Sequence, residues 1–136
     1  CWGMNREILF RGKRLDNGKW VYGYYWSNDM GNHFITLTKK DDYFCLEHFE
    51  VDPATVGQYT GLKDKNGVKI FEGDVVKGHY YINGNKKRIV GFVRFVRDGW
   101  HIEGVKQYEY VTTRLTPAFE RIGITCDNPE HLEVED

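Results

Sequence analysis

Four Asn-Gly or Asp-Gly dipeptides constrain the fold of this chain more than any other feature. They lie at 17–18, 66–67, 83–84 and 98–99. Asn, Asp and Gly adopt the positive φ angles of tight turns at little cost, so these dipeptides mark hairpins where β-type runs flank them. Aromatic and β-branched residues dominate the flanking runs. The sequence therefore predicts an antiparallel β protein.

The segments between these turns supply the predicted strands. Helical signals are thin and restricted to 41–50, to 105–115 and to a capped start at Asp127. The predicted fold class is mainly β: a small antiparallel barrel or sandwich, with SH3-like elements and one or two short helices. The predicted strands are 8–10, 20–26, 34–38, 68–71, 74–82, 88–96 and 100–102.

Length and composition set the expected organisation. A chain of 136 residues with 40% apolar residues can bury a core without metals or disulfides. We expect a single β-rich domain over 4–126, preceded by an upstream extension or cloning remnant at 1–3. Residues 127–136 are expected to form a short helical turn and an acidic tail. No run of eighteen apolar residues occurs, so no membrane partner is expected.

Charge and cysteine usage indicate the compartment. The formal net charge of −1 provides no global field that would attract DNA or a membrane surface. The three cysteines, Cys1, Cys45 and Cys126, are scattered and odd in number, which favours a reducing compartment over a disulfide framework.

Two stretches of the chain carry a family resemblance. The first is residues 56–67 followed by 70–76, and the second is residues 121–123 leading to 127–130 and Leu132. With the opening residues 6–23, they resemble the YopX family of phage and prophage proteins over about 4–132. The resemblance implies a β-rich fold, an origin in a temperate phage or prophage, and the bacterial host cytoplasm. It carries over no catalytic residue.

One position departs from the family pattern. Cys126 stands where family members commonly have a bulky aromatic residue, so the resemblance implies a packing position for it rather than a ligand.

Signals for catalysis or metal binding are weak. Ser27 is the only serine, which disfavours a serine hydrolase. Glu72 and Asp74 would share one face of a strand and could do acid–base work or bind a cation, although solvated turn acids are commoner. A small hydrolase using these two carboxylates is therefore a third alternative.

A tetrahedral zinc site is the one metal centre that the sequence suggests. It would combine Cys45 and His48 with Cys126 and His131. Neither pair has the usual spacing of a zinc knuckle, so we expect no metal and no cofactor.

Positive charge is concentrated between Lys77 and Arg97, where no Asp or Glu occurs. If this segment forms a hairpin, its cations and the rings of Tyr80 and Tyr81 could hold single-stranded nucleic acid. The plainer interpretation is that the basic tip solubilises an edge strand. The basic residues are Lys77, Lys86, Lys87, Arg88, Arg94 and Arg97.

Four aromatic residues of equal parity form the other candidate surface: Trp20, Tyr22, Tyr24 and Trp26. A strand would place them on one face, which is either an ordinary core face or a protein interface. The sequence thus predicts a non-catalytic binding module that forms a homo-oligomer and binds a phage or host protein. Weak nucleic-acid binding through 77–97 is the alternative.

Overall fold

The computed structural model describes residues 8–39, 42–97 and 99–128. The chain divides into two compact units, Cys1–Tyr59 and Thr60–Asp136. The single domain expected over 4–126 stays a prediction, because two compact units can still unfold as one cooperative domain. None of the helices in the described ranges is long and apolar enough to cross a membrane.

The first unit is a sheet of antiparallel strands. Its strands are β1 (Phe10–Lys13), β2 (Trp20–Ser27), β3 (His33–Lys39) and β4 (Asp42–Glu50), in the spatial order β4-β3-β2-β1. The start of β5 (Gly57–Lys63) pairs with β1 on its other side. A single 3₁₀ turn, Pro53–Thr55, is capped by the Asp52 carboxylate, which accepts from the Ala54 amide at 3.0 Å.

The core of the first unit lies on one side of this sheet. Val21, Ile35 and Val51 are buried, and Tyr25 and Phe49 pack against them. Val21 and Tyr25 share the parity of β2 that is opposite to the predicted aromatic face. Alternation along β2 therefore points the four predicted aromatic residues away from this core.

The second unit contains the end of β5, β6 (Lys69–Phe71) and a five-stranded sheet. The sheet consists of β7 (Asp74–Ile82), β8 (Asn85–Val96), β9 (Gly99–Gly104), β10 (Thr112–Arg114) and β11 (Glu120–Ile124), in the order β10-β9-β8-β7-β11. A 3₁₀ turn, Lys106–Tyr108, joins β9 to β10. The core of this unit comprises Ile70, Val76, Ile89, Val93, Ile102, Leu115 and Phe119.

The turns at 17–18, 66–67 and 83–84 confirm three of the four hairpin predictions, whereas Asp98 of the fourth dipeptide lies outside the described residues. Gly18 and Gly67 have φ angles of 70° and 81°, and Asn83 and Gly84 have 50° and 79°. Asn83 and Gly84 form the two-residue turn between β7 and β8, in which two successive positive φ angles match the twist of the strands.

The mainly β prediction is confirmed, but three details differ. The sheets formed by the described strands are open, so the predicted closure into a barrel and the SH3-like form are unconfirmed. Segment 41–50, proposed as a helix, contains β4, whose ladder with β3 outweighs its weak helical propensity. Segment 105–115 contains only the 3₁₀ turn and β10. The tail beyond 128 and residues 1–3 lie outside the described residues.

Candidate binding surfaces

The aromatic face is the exposed side of the sheet in the first unit. Tyr22, Tyr24 and Trp26 expose 42%, 60% and 41% of their surface, while Trp20 is half-buried. The predicted strand and the shared face are present, and the face is not a core face. An exposed run of large aromatic residues on one strand is unusual outside binding surfaces.

Neighbouring strands hold Trp26 in place. Its indole stacks on Phe34 with ring centroids 4.5 Å apart, and its Nε1 donates to Thr36 Oγ1 at 2.7 Å. His48 on β4 lies with its Nδ1 2.8 Å from the same hydroxyl. These contacts fix the ring before any partner arrives, which lowers the entropic cost of binding.

Sequence reasoning missed the contribution of β3 and β4 to this face. The β2–β3 register places Trp26 opposite Phe34 and Tyr24 opposite Thr36, and the β3–β4 register places Thr36 opposite His48. The alternation of Phe34 and Thr36 around Ile35 was the feature of the sequence that could have indicated that β3 contributes to this face. The pairing of β3 with β2 could not be read from it.

Two cations border the face at Trp20. The Arg11 guanidinium carbon lies 4.8 Å from the Trp20 ring centroid, and Lys13 Nζ lies 5.5 Å from it. Both distances fall within the cation–π range. The β1–β2 register, which sets Lys13 opposite Trp20, produces this arrangement.

The six basic residues of 77–97 do not form one continuous patch. Lys77 Nζ lies 3.5 Å from a Glu120 carboxylate oxygen, and Arg94 donates to Glu103 at 2.7 Å. Both acids come from neighbouring strands that the sequence could not place. Arg97 is exposed at the far end of β8. Lys86, Lys87 and Arg88 are grouped at the hairpin end.

The end of this hairpin projects from its sheet. β11 pairs with β7 as far as Lys77, and β9 pairs with β8 from Gly91 onward. Among the described residues, therefore, no third strand flanks the hairpin beyond these points. All eight residues from Tyr81 to Arg88 are exposed. We call residues 81–88 the basic arm.

The two tyrosines of the hairpin have different environments. Tyr80 packs against the core of the second unit, whereas Tyr81 is 68% exposed. Ile82, which the sequence analysis did not single out, is 52% exposed beside it. The only ring available to a ligand on the arm is thus that of Tyr81.

Asp74, one of the two carboxylates proposed for catalysis, has a structural role. Asp74 is fully buried and accepts from the Phe71 amide at 2.7 Å, and Arg121 Nε lies 3.2 Å from the same oxygen. These contacts engage the carboxylate of Asp74, which is one member of the predicted Glu72–Asp74 pair. The hydrolase alternative gains no support from it.

Asp64 joins the two motif stretches. Its carboxylate accepts from the backbone amides of Asn66, Val68 and Arg121 at 2.8, 2.9 and 3.0 Å. Burial opposes ionisation of Asp64, but these amides and the Arg121 charge outweigh it and hold its pKa below the ordinary value.

The predicted zinc ligands are only partly described. Cys126 is exposed in the turn after β11, so the packing position that the resemblance implied for it is wrong. The Cys45 side chain and His131 lie outside the described residues. Within the part of the chain that the structure describes, no three His, Cys, Asp or Glu side chains are grouped as a metal site would require.

Comparison with known proteins agrees with this architecture. The profile of the family described as "YopX protein" matches residues 9–133, nearly the whole chain. The chain belongs to the YopX family. Both motif stretches of this YopX protein meet in the Asp64–Asp74–Arg121 cluster, which gives the family resemblance a structural basis.

The chain is also similar to solved structures. Among them, the crystal structure of protein EF1440 from Enterococcus faecalis matches with a TM-score of 0.53 and 21% identity, covering 93% of this chain and 99% of that one. At this identity the likeness shows the fold alone. No curated protein matches the chain in sequence.

Proposed function

We propose that this protein is a non-catalytic binding module that self-associates through its aromatic face. The exposure of Tyr22, Tyr24 and Trp26 on one strand carries the proposal. Aromatic side chains of this kind each offer ~150–250 Å². Three of them at roughly half exposure leave on the order of 300 Å² of aromatic surface, the size of the patches that are often functional on monomers.

A second copy of the chain is the occupant that this face fits. Across β2 and β3 the face consists of uncharged side chains, Tyr22, Tyr24, Trp26, Phe34 and Thr36. The uncharged central parts of two such faces can stack about a two-fold axis, as an isologous dimer requires, while the cations beside Trp20 lie at the border of the face. A phage or host protein with a matching apolar patch could use the same face.

Sedimentation equilibrium tests self-association. The wild-type protein should show a mass that rises with concentration from 16.0 kDa toward twice that value. Tyr24→Glu places a charge at the centre of the face in both copies and should keep the protein monomeric. Tyr110→Glu is the matched control, because Tyr110 is 91% exposed and lies in the second unit.

A wild-type mass that stays at 16.0 kDa up to high concentration would reject self-association. If Tyr24→Glu and Tyr110→Glu weakened self-association equally, the interface would lie outside the aromatic face.

Nucleic-acid binding through the basic arm is the second candidate function. The observation that favours it is the exposure of Lys86, Lys87 and Arg88 beside the exposed ring of Tyr81. Lysine and arginine that contact phosphates release counterions, so binding should be weak and should fall steeply with salt.

Fluorescence anisotropy at low salt tests this candidate. Changing Lys86, Lys87 and Arg88 together to Glu should abolish binding and leave the melting temperature unchanged, because these three residues are exposed and contribute little to the core. The control changes the exposed lysines Lys19, Lys63 and Lys65 to Glu, which alters net charge equally. Equal loss in both variants would show that net charge, and not the arm, governs binding.

A further inference from the structure

We infer that the ligand of the basic arm is duplex DNA and that the arm enters its major groove. This inference rests on the nucleic-acid function proposed above and specifies its ligand. The deciding feature is the distribution of charge over the two faces of the arm.

Cations lie on both faces of the arm. Lys86 and Arg88 have the parity of Arg94, on the side of β8 opposite to the core, whereas Lys87 has the parity of the buried Ile89 and Val93. Successive side chains of a strand point to opposite faces, so Lys87 projects away from its two basic neighbours. A single strand lying on one face would contact only one of these two sets.

The phosphates of a duplex line both walls of a groove. An inserted two-stranded ribbon therefore brings cations on each of its faces toward a different backbone. The major groove of B-DNA is ~12 Å wide and admits a two-stranded β-ribbon, whose strands lie ~4.8 Å apart. The charge arrangement of the arm suits this geometry, because each face of the arm carries at least one cation.

The length of the arm also fits the groove. Three residue steps lead from Tyr80 to Asn83 in the turn, which corresponds to about 10 Å at the ~3.3 Å rise of a strand. The groove is ~8.5 Å deep. The turn would thus reach the base edges while the body of the second unit stays outside the phosphate backbone.

The end of the arm carries side chains suited to base edges. Asn83 and Asn85 flank Gly84 at the turn, and Ile82 is 52% exposed beside them. Asparagine amides can pair with the N6 and N7 atoms of adenine, and apolar side chains contact the thymine methyl group. A single strand that bound by base stacking would not require these asparagine and apolar side chains.

Anisotropy titrations with one labelled 16-base-pair DNA duplex and its separate strands test the inference. The duplex should bind more tightly than either strand. Three phosphate contacts predict a slope of about −2.7 in a plot of log affinity against log salt, or about a 40-fold loss between 50 and 200 mM salt. Melting temperatures of all variants should equal that of the wild type.

Single substitutions separate groove entry from binding on one face. Lys86→Gln and Lys87→Gln should each reduce the magnitude of the slope by about 0.9, because each removes one phosphate contact. Lys63→Gln, an exposed lysine of β5, is the matched control and should leave the slope unchanged.

Two results would overturn the inference. Preferential binding of single strands, with Lys87→Gln silent, would exclude groove entry while leaving the nucleic-acid function in place. Absence of binding to the duplex and to both strands at low salt would remove the inference and the nucleic-acid function together.

Discussion

Asp64 shows how much of this fold depends on single buried polar groups. Its carboxylate satisfies two amides of its own turn and the amide of Arg121, which is 57 positions away. A local turn signal and a long-range strand contact are thus joined by one side chain. Replacing either carboxylate oxygen leaves a partly buried amide without its acceptor, which adds a desolvation cost to the loss of the hydrogen bond.

Asp64→Asn should lower the free energy of unfolding by about 1–3 kcal/mol at pH 7, because the amide cannot accept from all three donors. The native pKa of Asp64 lies below its ordinary value of 3.8. Its contribution is therefore complete above that value and is lost as the pH falls through the native pKa. Denaturant unfolding at pH 7 and pH 3 should show the difference between the proteins shrinking at the lower pH.

A difference between the two proteins that is the same at both pH values would contradict this account of Asp64.

At the scale of elements, the sequence predicted strands well where turn chemistry marked their ends. β2 and β7 agree closely with the runs at 20–26 and 74–82, since each is bounded by an Asn-Gly turn. β10 and β11 were missed because they are short edge strands whose partners supply most of their stability. The aromatic stripe of β2 could be predicted because its residues alternate along the strand. The side of the sheet on which the core lies could not, because it depends on tertiary packing.

The packing of β7 against Phe119 gives an element-scale prediction. A Cβ atom added at Gly78 would lie 2.4 Å from the Phe119 ring, a distance that packed atoms do not adopt. Gly78→Ala should therefore lower stability by about 1–3 kcal/mol through overpacking. Phe119→Leu made in the Gly78→Ala background should cost less than in the wild type. Denaturant unfolding of the four proteins in this double-mutant cycle measures the coupling.

Additive effects of the two changes would mean that Gly78 and Phe119 do not limit each other's packing.

At the scale of the whole molecule, each unit contains its own apolar core. The scattered cysteines and the adequate length predict that these cores form without a metal or a disulfide, which stays a prediction. The basic arm was recognised as a charged hairpin, but its projection beyond the sheet depends on where β9 and β11 stop pairing. That limit is set by tertiary packing and leaves no local mark in the sequence.

Folding should therefore depend on neither zinc nor a disulfide. A chelator or a thiol reductant should each change the melting temperature by less than about 1 °C, whereas loss of a structural zinc would lower it greatly. Thermal scans by circular dichroism with and without each reagent make the comparison. A large decrease with chelator alone would restore the zinc site at Cys45 and His48.

The separation of Asp64 from Arg121 has a consequence for synthesis on the ribosome. At ~5–20 residues per second, Arg121 emerges about 3–11 s after Asp64. During that interval the nascent second unit lacks the Arg121 guanidinium that lies beside Asp74, and β11 is not yet present to pair with β7. A message truncated before codon 121 would release a chain that is held in this incomplete state, an immediate substrate for chaperones and proteases.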